Sequence, residues 1–292
     1  MWPFNQIDRL ESSTTLDGLA QRIRPVAERL LANRRVTDVL HGVWLGHPLH
    51  PVLVQVPVGT WTSAAVMDAV PGGGRAAGTL IKVGMAGAVP AIASGWADWS
   101  QQDTQQQRTG LAHAIGNTVA LSLYAGSLLA RRGGRHGLGR GFAYAGYAVA
   151  GTAATIGGHL AYRQAGGPSH AVAHAEVGPP GWHDLGPLAD VPQGATGRRI
   201  GDLDLFVWRQ DDVVRAMVDR CSHASGPLHE GELTSEHGSP CVTCPWHGSV
   251  FRISDGRVVH GPATASQPVL QVRVEQGNVQ VKLPGLAMGN DD

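Results

Sequence analysis

The chain has 292 residues, with 23 basic and 23 acidic side chains and a formal net charge of zero. That length accommodates two domains of about 100 to 200 residues each, and the balanced charge offers no electrostatic case for a nucleic-acid partner. There are three cysteines, Cys221, Cys241 and Cys244. A disulfide-stapled fold is therefore excluded, because two of them serve the motif described below and the third is left without an intramolecular partner. Asp8, Arg9 and Glu11 interrupt the opening of the sequence before any long apolar run, so early export of the amino terminus is not expected.

Residues 1–45 are taken as an amino-terminal segment. Within it Leu19, Ile23, Val26, Leu30 and Leu31 recur at helical spacing among Arg22, Arg24, Glu28, Arg29, Arg34 and Arg35. This pattern predicts an amphipathic helix, and periodicity alone leaves open whether its apolar face meets a membrane or a protein surface.

Residues 46–163 form a second region, with four weakly charged segments at about 51–70, 77–97, 110–130 and 141–162. Each is close to the roughly 20 residues that cross a bilayer. Asp68 and Lys82 lie near segment ends, where a polar side chain reaches the interface at tolerable cost. Turns are expected at Pro71–Arg75, through the glutamine-rich stretch 98–109, and through the glycine-rich stretch 131–140. Gly146, Gly151, Gly157 and Gly158 in the last segment allow helices to approach closely where lipid gives no hydrophobic drive for association. The fold class predicted is an α-helical four-span membrane bundle followed by an all-β domain, with a soluble Ala/Gly-rich helical domain as the alternative to the bundle.

Residues 164–182 read as a Gly/Pro/Ala linker, 183–285 as the all-β domain and 286–292 as a tail. Strands are expected at 205–209, 213–219, 269–274 and 278–283, with a turn at Gln276-Gly277-Asn278.

Cys221-Ser222-His223, then twenty residues, then Cys244-Pro245-Trp246-His247 places one thiol and one imidazole on each of two loops. A [2Fe-2S] centre of mixed ligation needs two thiolates on one iron and two imidazoles on the other, so each loop gives one ligand to each iron. A mononuclear zinc site is the alternative, and its usual spacing groups like ligands together. Residues 184–284 resemble the Rieske ferredoxin family, with CSHASGPLHEGEL as the first loop and CPWHGSVFRISDGR as the second. The resemblance implies Cys221, His223, Cys244 and His247 as metal ligands, in a domain of two small sheets with both loops at one tip. It further implies tight-turn roles for Pro245 and Gly248, a hydroxyl donor at Ser249, and a lower-half potential within the Rieske range of about −150 to +300 mV, because Phe251 stands where higher-potential members carry tyrosine. Cys241 reads as structural, and His229, His237 and His260 as surface histidines. No mononuclear iron domain follows, so the chain alone is not an oxygenase hydroxylase.

With four spans, His47, His50, Trp96, Asp98, His113 and His159 fall on one side of the membrane. Ionisable groups there are candidates for a haem b, metal or quinone site, while interfacial packing accounts for them equally by residue type. GHPLHPVLVQVPVG, GWADW and LAHAIGN resemble an uncharacterised bacterial four-helix membrane family catalogued as a domain of unknown function, over about 44–165; the resemblance implies a membrane domain and brings no activity.

The basic residues divide almost evenly between the two sides, Arg75, Lys82, Arg131, Arg132, Arg135 and Arg140 against Arg29, Arg34, Arg35, Arg108 and Arg163, so orientation is not set by charge. Arg34-Arg35 stands too far before the apolar segments to serve as a twin-arginine signal. The expectation is an integral protein of the bacterial inner membrane with a cytoplasmic Rieske domain. It would carry single electrons between a redox partner protein (a reductase, oxygenase or respiratory component) and a membrane partner. An intrinsic membrane oxidoreductase and a membrane-anchored redox sensor are the alternatives.

Overall fold

The computed structural model describes residue 9 and residues 11–284, and the tail expected at 286–292 lies outside them. The chain forms two compact units, one of Met1–Asn33 with Pro48–Gly167 and the other of Arg34–His47 with Pro168–Asp292. The segment expected as 1–45 is thus divided between the two. Its helical pattern becomes two helices, α1 (Asp17–Leu30) and α2 (Arg34–His41).

In the first unit, α3 (His50–Leu53) and α4 (Gln55–Ala69) together form one arm of a hairpin whose other arm is α5 (Gly74–Ser100). Pro57 explains the break between α3 and α4: it has no N–H for the carbonyl of Leu53, and its ring crowds that carbonyl. A second hairpin follows, α6 (Thr104–Arg132) and α7 (His136–Tyr162). Helix α6 begins six residues before the expected segment because Asp103 and Gln106 form a reciprocal capping box, Gln106 N–H to Asp103 Oδ1 at 2.8 Å and Asp103 N–H to Gln106 Oε1 at 3.2 Å. Helix α1 docks on this unit through Ala20, Leu16 and Ile23, which pack with Trp96, Trp99 and Leu111. Asp17 accepts two hydrogen bonds from the Arg108 guanidinium at 2.7 and 2.8 Å. Of the expected apolar face, Ile23 meets protein, whereas Leu19, Val26 and Leu30 are exposed.

The two hairpins repeat one another. His50 lies edge-on to His113 with ring centroids 6.3 Å apart, Trp61 stacks on Tyr124 at 4.5 Å, and Asp68 pairs with Arg131 at 2.5 Å. In each pair the second residue follows the first by 63 positions. In the returning helices the offset is 62: Gly84 lies beneath Trp61 and Gly146 beneath Tyr124, Gly95 beneath His50 and Gly157 beneath His113. The turn 133–135 is one residue shorter than the turn 70–73, which accounts for the change. Residues that touch their own counterparts at three levels define a pseudo-twofold axis through the three pairs.

Small residues fill the interior of this unit (Ala64, Ala77, Ala88, Ala91, Ala120, Ala143, Ala153) while Val56, Val58, Val66, Val83, Val89, Ile92, Ile115, Val119 and Leu129 are exposed. Of the four spans expected, Gly74–Ser100 is the one helix among the described residues that is long and apolar enough to cross a membrane, with a mean hydropathy of 1.5 in its best window. Helix α4 has only 15 residues, and glutamine, asparagine, glycine and histidine dilute the hydropathy of α6 and α7.

The second unit is built on β1 (Gly181–Pro187), β2 (Gly194–Ile200), β3 (Leu203–Gln210), β4 (Val213–Val218), β5 (Glu232–Glu236), β6 (Ser239–Thr243), β7 (Val250–Arg252), β8 (Val258–His260), β9 (Val269–Glu275) and β10 (Asn278–Leu283). They form a six-stranded sheet ordered β1-β10-β9-β4-β3-β2 and a four-stranded sheet ordered β5-β6-β7-β8. Strand β3 is buried on both faces: Leu203, Leu205 and Val207 enter one core, Phe206 and Trp208 the other. Its near-continuous apolar run follows from that position, and each fully buried large side chain contributes about 1.5–3 kcal/mol. Gln276 and Gly277 both have positive φ, 51° and 82°, as a two-residue hairpin turn requires. The stretch expected as a linker is partly ordered as α8 (Val172–Ala175), with Ala171 and Ala175 in the first core.

Two outcomes are expected. Asp68→Asn strands Arg131, which is only 10% exposed, and is expected to cost about 3–5 kcal/mol, read as a fall in thermal midpoint of the purified protein. Gly231→Ala places a Cβ 2.2 Å from the backbone oxygen of Thr243, and chemical unfolding followed through the β-sheet signal should show a loss of about 1–3 kcal/mol.

Candidate metal centre

The two ligand loops leave the sheets at β4 and β6. The first runs from Cys221 to a 3-10 turn at Leu228–Glu230, and the second lies between Thr243 at the end of β6 and Val250 at the start of β7. Cys221, 1% exposed, and Cys244, 3% exposed, share a core with Phe206, Met217, Leu228, Val242 and Phe251. The rings of His223 and His247 meet edge to face with centroids 4.9 Å apart. The four residues expected from sequence are therefore gathered at one end of the domain, two thiols and two imidazoles.

Each loop is held from within. In the first, Ser225 N–H donates to Cys221 O at 2.8 Å and Cys221 N–H to Gly226 O at 2.9 Å. In the second, Gly248 N–H donates to Cys244 O at 3.1 Å and Cys244 N–H to Ser249 O at 2.8 Å. Gly248 has φ +71°, a left-handed conformation that suits glycine. A Cβ at Gly226 would stand 2.8 Å from Cys244 Sγ, so close approach of the two loops requires glycine there. Buried Gln267 braces the first loop. Its Nε2 donates to the carbonyls of Val218 and Arg220, both at 2.6 Å, and its Oε1 accepts from Ser222 N–H at 3.1 Å.

The electrostatics favour one negative charge shared by the sulfurs and neutral imidazole. Cys221 donates a hydrogen bond to Cys244, which lowers the Cys244 thiol against burial, with help from the N–H groups of Trp246 and His247. The same bond, burial and the neighbouring charge raise Cys221, partly offset by the N–H groups of His223 and Ala224. Burial pushes His223 down to about 3, assisted by His247, His41 and His170. Its Nδ1 is buried with no hydrogen-bond partner, an arrangement costly for a neutral imidazole and suited to a metal ligand. Amides directed at both sulfurs, an orphaned imidazole nitrogen and a donor set of two thiols and two imidazoles fit a [2Fe-2S] cluster. Among the described residues, no group of three or more His, Cys, Asp or Glu side chains converges as the ligands of one ion do.

Ser249 Oγ is buried and accepts from Ala263 N–H at 2.9 Å. Phe251 is fully buried and brings no hydroxyl, while Pro245 is exposed. Cys241 is buried in β6, where its Sγ lies 3.4 Å from Ser239 O, and burial raises its thiol.

Two histidines expected as surface residues are half-buried and hydrogen-bonded to carboxylates. His229 Nδ1 lies 2.6 Å from Asp219 Oδ2, with its own N–H on Asp219 Oδ1 at 2.8 Å, and His260 Nδ1 lies 2.7 Å from Asp38 Oδ2. Sequence spacing could not reveal these pairs, which join residues 10 and 222 positions apart. His237 is exposed in the β5–β6 turn.

The polar group expected at one end of the bundle does not assemble as a whole. His50 and His113 come together, and protein groups engage both: His50 Nδ1 lies 2.8 Å from Ala91 O, His113 Nδ1 lies 2.7 Å from Ala153 O, and Asn117 Nδ2 lies 3.1 Å from His113 Nε2. His159 Nε2 pairs with Glu11 at 2.5 Å. Asp98 lies half-buried in the last turn of α5, and His47 belongs to the other unit. These hydrogen bonds account for the histidines as packing groups, so the bundle gives no support to a haem, metal or quinone site.

Residues 181–276 match the family described as Rieske [2Fe-2S] domain, and residues 46–169 the family described as predicted membrane protein (DUF2231). The chain is 33% identical over 103 residues to the anthranilate 1,2-dioxygenase ferredoxin subunit of Burkholderia cepacia, covering 35% of this chain and 92% of that one. It is 32% identical over 98 residues to the 3-phenylpropionate/cinnamic acid dioxygenase ferredoxin subunit of Escherichia coli (strain K12), covering 34% of this chain and 90% of the relative. The solved ferredoxin of carbazole 1,9a-dioxygenase from Nocardioides aromaticivorans IC177 is 23% identical and covers 36% of this chain and 99% of its own, with a TM-score of 0.33. The ligand loops, the family match and the sequence relatives agree: through its carboxy-terminal third, the chain belongs to the Rieske [2Fe-2S] family, joined to a domain of the predicted membrane protein family.

Proposed function

We propose that the chain is a membrane-anchored Rieske-type carrier, passing single electrons between a soluble redox partner and a membrane partner. The observation that carries this reading is the buried meeting of the two loops, with amides directed at both sulfurs and His223 Nδ1 left for a metal. Cys221 and Cys244 would hold one iron, and His223 and His247 the other. When bound, the cluster supplies a one-electron couple, raised by neutral imidazole ligation above that of an all-cysteine cluster. The chain's own contribution is to keep His223 neutral, to hold the sulfurs within reach of N–H donors and to surround them with Phe206, Met217 and Phe251.

The anchoring reading rests on the packing of the helical unit. A bundle with alanine and glycine inside and valine, isoleucine and leucine outside reverses the pattern of a water-soluble helical domain, and it suits lipid contact, where small residues let backbones approach. The reading places α3–α4, α5, α6 and α7 as four lipid-embedded arms in the bacterial inner membrane, with the Rieske domain on the cytoplasmic side. The named relatives are ferredoxin subunits of dioxygenases, which supports an oxygenase or a reductase as the soluble partner.

Purified protein reduced with dithionite should give the low-temperature EPR signal of a Rieske cluster, and Cys244→Ser or His247→Ala should abolish it; zinc in place of iron by elemental analysis would overturn the reading. Full-length protein should stay with the membrane fraction after an alkaline carbonate wash, and its release would defeat the anchoring. Phe251→Tyr adds a hydroxyl donor beside the sulfurs and should raise the midpoint potential in a redox titration.

A further inference from the structure

Residues 34–45 lie outside both family matches, yet they pack within the Rieske unit. We infer that this segment is a strap completing that unit, and that Asp38 is the positioning residue through which it holds the second ligand loop.

Both carboxylate oxygens of Asp38 are engaged at the end of β8. Oδ2 lies 2.7 Å from His260 Nδ1, and Oδ1 accepts the N–H of Gly261 at 2.9 Å. The contact is largely covered, with side chains 19% and 23% exposed, and Asp38 also satisfies a backbone amide. The strap closes tightly over the same point: a Cβ at Gly261 would stand 3.1 Å from Val43 Cγ2 and 3.3 Å from His41 Cδ2. From there the connection to the ligands is short. Val250 of β7 pairs with His260 of β8. Two residues beyond Gly261, Ala263 N–H donates to Ser249 Oγ, and Ser249 O accepts from Cys244 N–H. His41, 2% exposed, lies within electrostatic reach of His223 on the first loop.

The first loop carries a clamp of the same chemistry within its own sequence, Asp219 on the side chain and N–H of His229. The second loop instead takes its aspartate from the strap. His260 does have a second acidic neighbour, but Glu236 Oε1 stands 3.9 Å away, beyond hydrogen-bond length.

The test uses the full-length, detergent-solubilised protein as wild type, Asp38→Ala, Asp38→Asn and a Val39→Ala control on the exposed side of the same helix. It reads iron content, the reduced EPR spectrum and the half-life of the cluster against an iron chelator. Asp38→Ala should broaden the spectrum and shorten the half-life about tenfold, as loss of a group supporting a metal ligand does. Asp38→Asn, which keeps an acceptor for Gly261, should fall between, and Val39→Ala should match wild type. Unchanged spectra and half-lives overturn the inference, as does a lower thermal midpoint with an unchanged spectrum. If Asp38→Ala loads no iron, Asp38→Asn decides by the same criteria. Failure of both to load with the β-sheet circular dichroism intact supports the strap, and loss of that signal overturns it. The inference rests on the Rieske reading: wild type without the EPR signal defeats that reading, whereas a wild-type signal unaltered in both Asp38 variants defeats only the strap.

Discussion

Burying two thiols and two imidazoles against one another is unfavourable unless their polar atoms find partners, and much of the carboxy-terminal unit is arranged around that difficulty. Amides of His223, Ala224, Trp246 and His247 serve the sulfurs. Gln267 occupies backbone groups that the first loop would otherwise leave open, and Gly226 gives the second loop room for its cysteine. With no disulfide between the loops, alignment rests on such hydrogen bonds and on the sheets that launch them.

The helical unit meets a different constraint. Its interior is so fine-grained that Trp61 and Tyr124 each rest over a glycine of the neighbouring helix, and many of its valine, isoleucine and leucine side chains face outward. Contact at backbone distance, rather than interlocking of large side chains, holds such a bundle together. The Asp68–Arg131 pair is almost wholly shielded from solvent, so it fixes the register of α4 against α6 with little tolerance for sliding.

The parts of this architecture visible in sequence were those with local signals. The ligand spacing 221–223 and 244–247 identified the centre, and the strands with the strongest β-branched character, β3, β4, β9 and β10, stood out. The short strands β5 to β8 did not, because β7 and β8 have three residues each and take their conformation from their neighbours. The start of α6 was legible in Asp103 and Gln106, a capping pattern passed over within a glutamine-rich stretch. The 63-residue repeat was also legible, in His50, Trp61 and Asp68 set against His113, Tyr124 and Arg131, though unlike residue types disguise two of its three pairs. The clamp on His260 was not legible, since its aspartate arrives from the far end of the chain. Segment length and scarcity of charge suggested four spans, whereas one helix among the described residues is long and apolar enough to cross a membrane, since glycine, glutamine and histidine lower the hydropathy of the later helices.

The repeat carries a consequence for which halves can pair. Two identical hairpins meeting on a twofold axis would set aspartate against aspartate or arginine against arginine at the level of Asp68 and Arg131, and a buried like-charged pair is strongly unfavourable. The opposite charges now found there can exist only between halves that have diverged. A second copy of either half would set like charges against each other at this level, so each hairpin is matched to the other and not to itself.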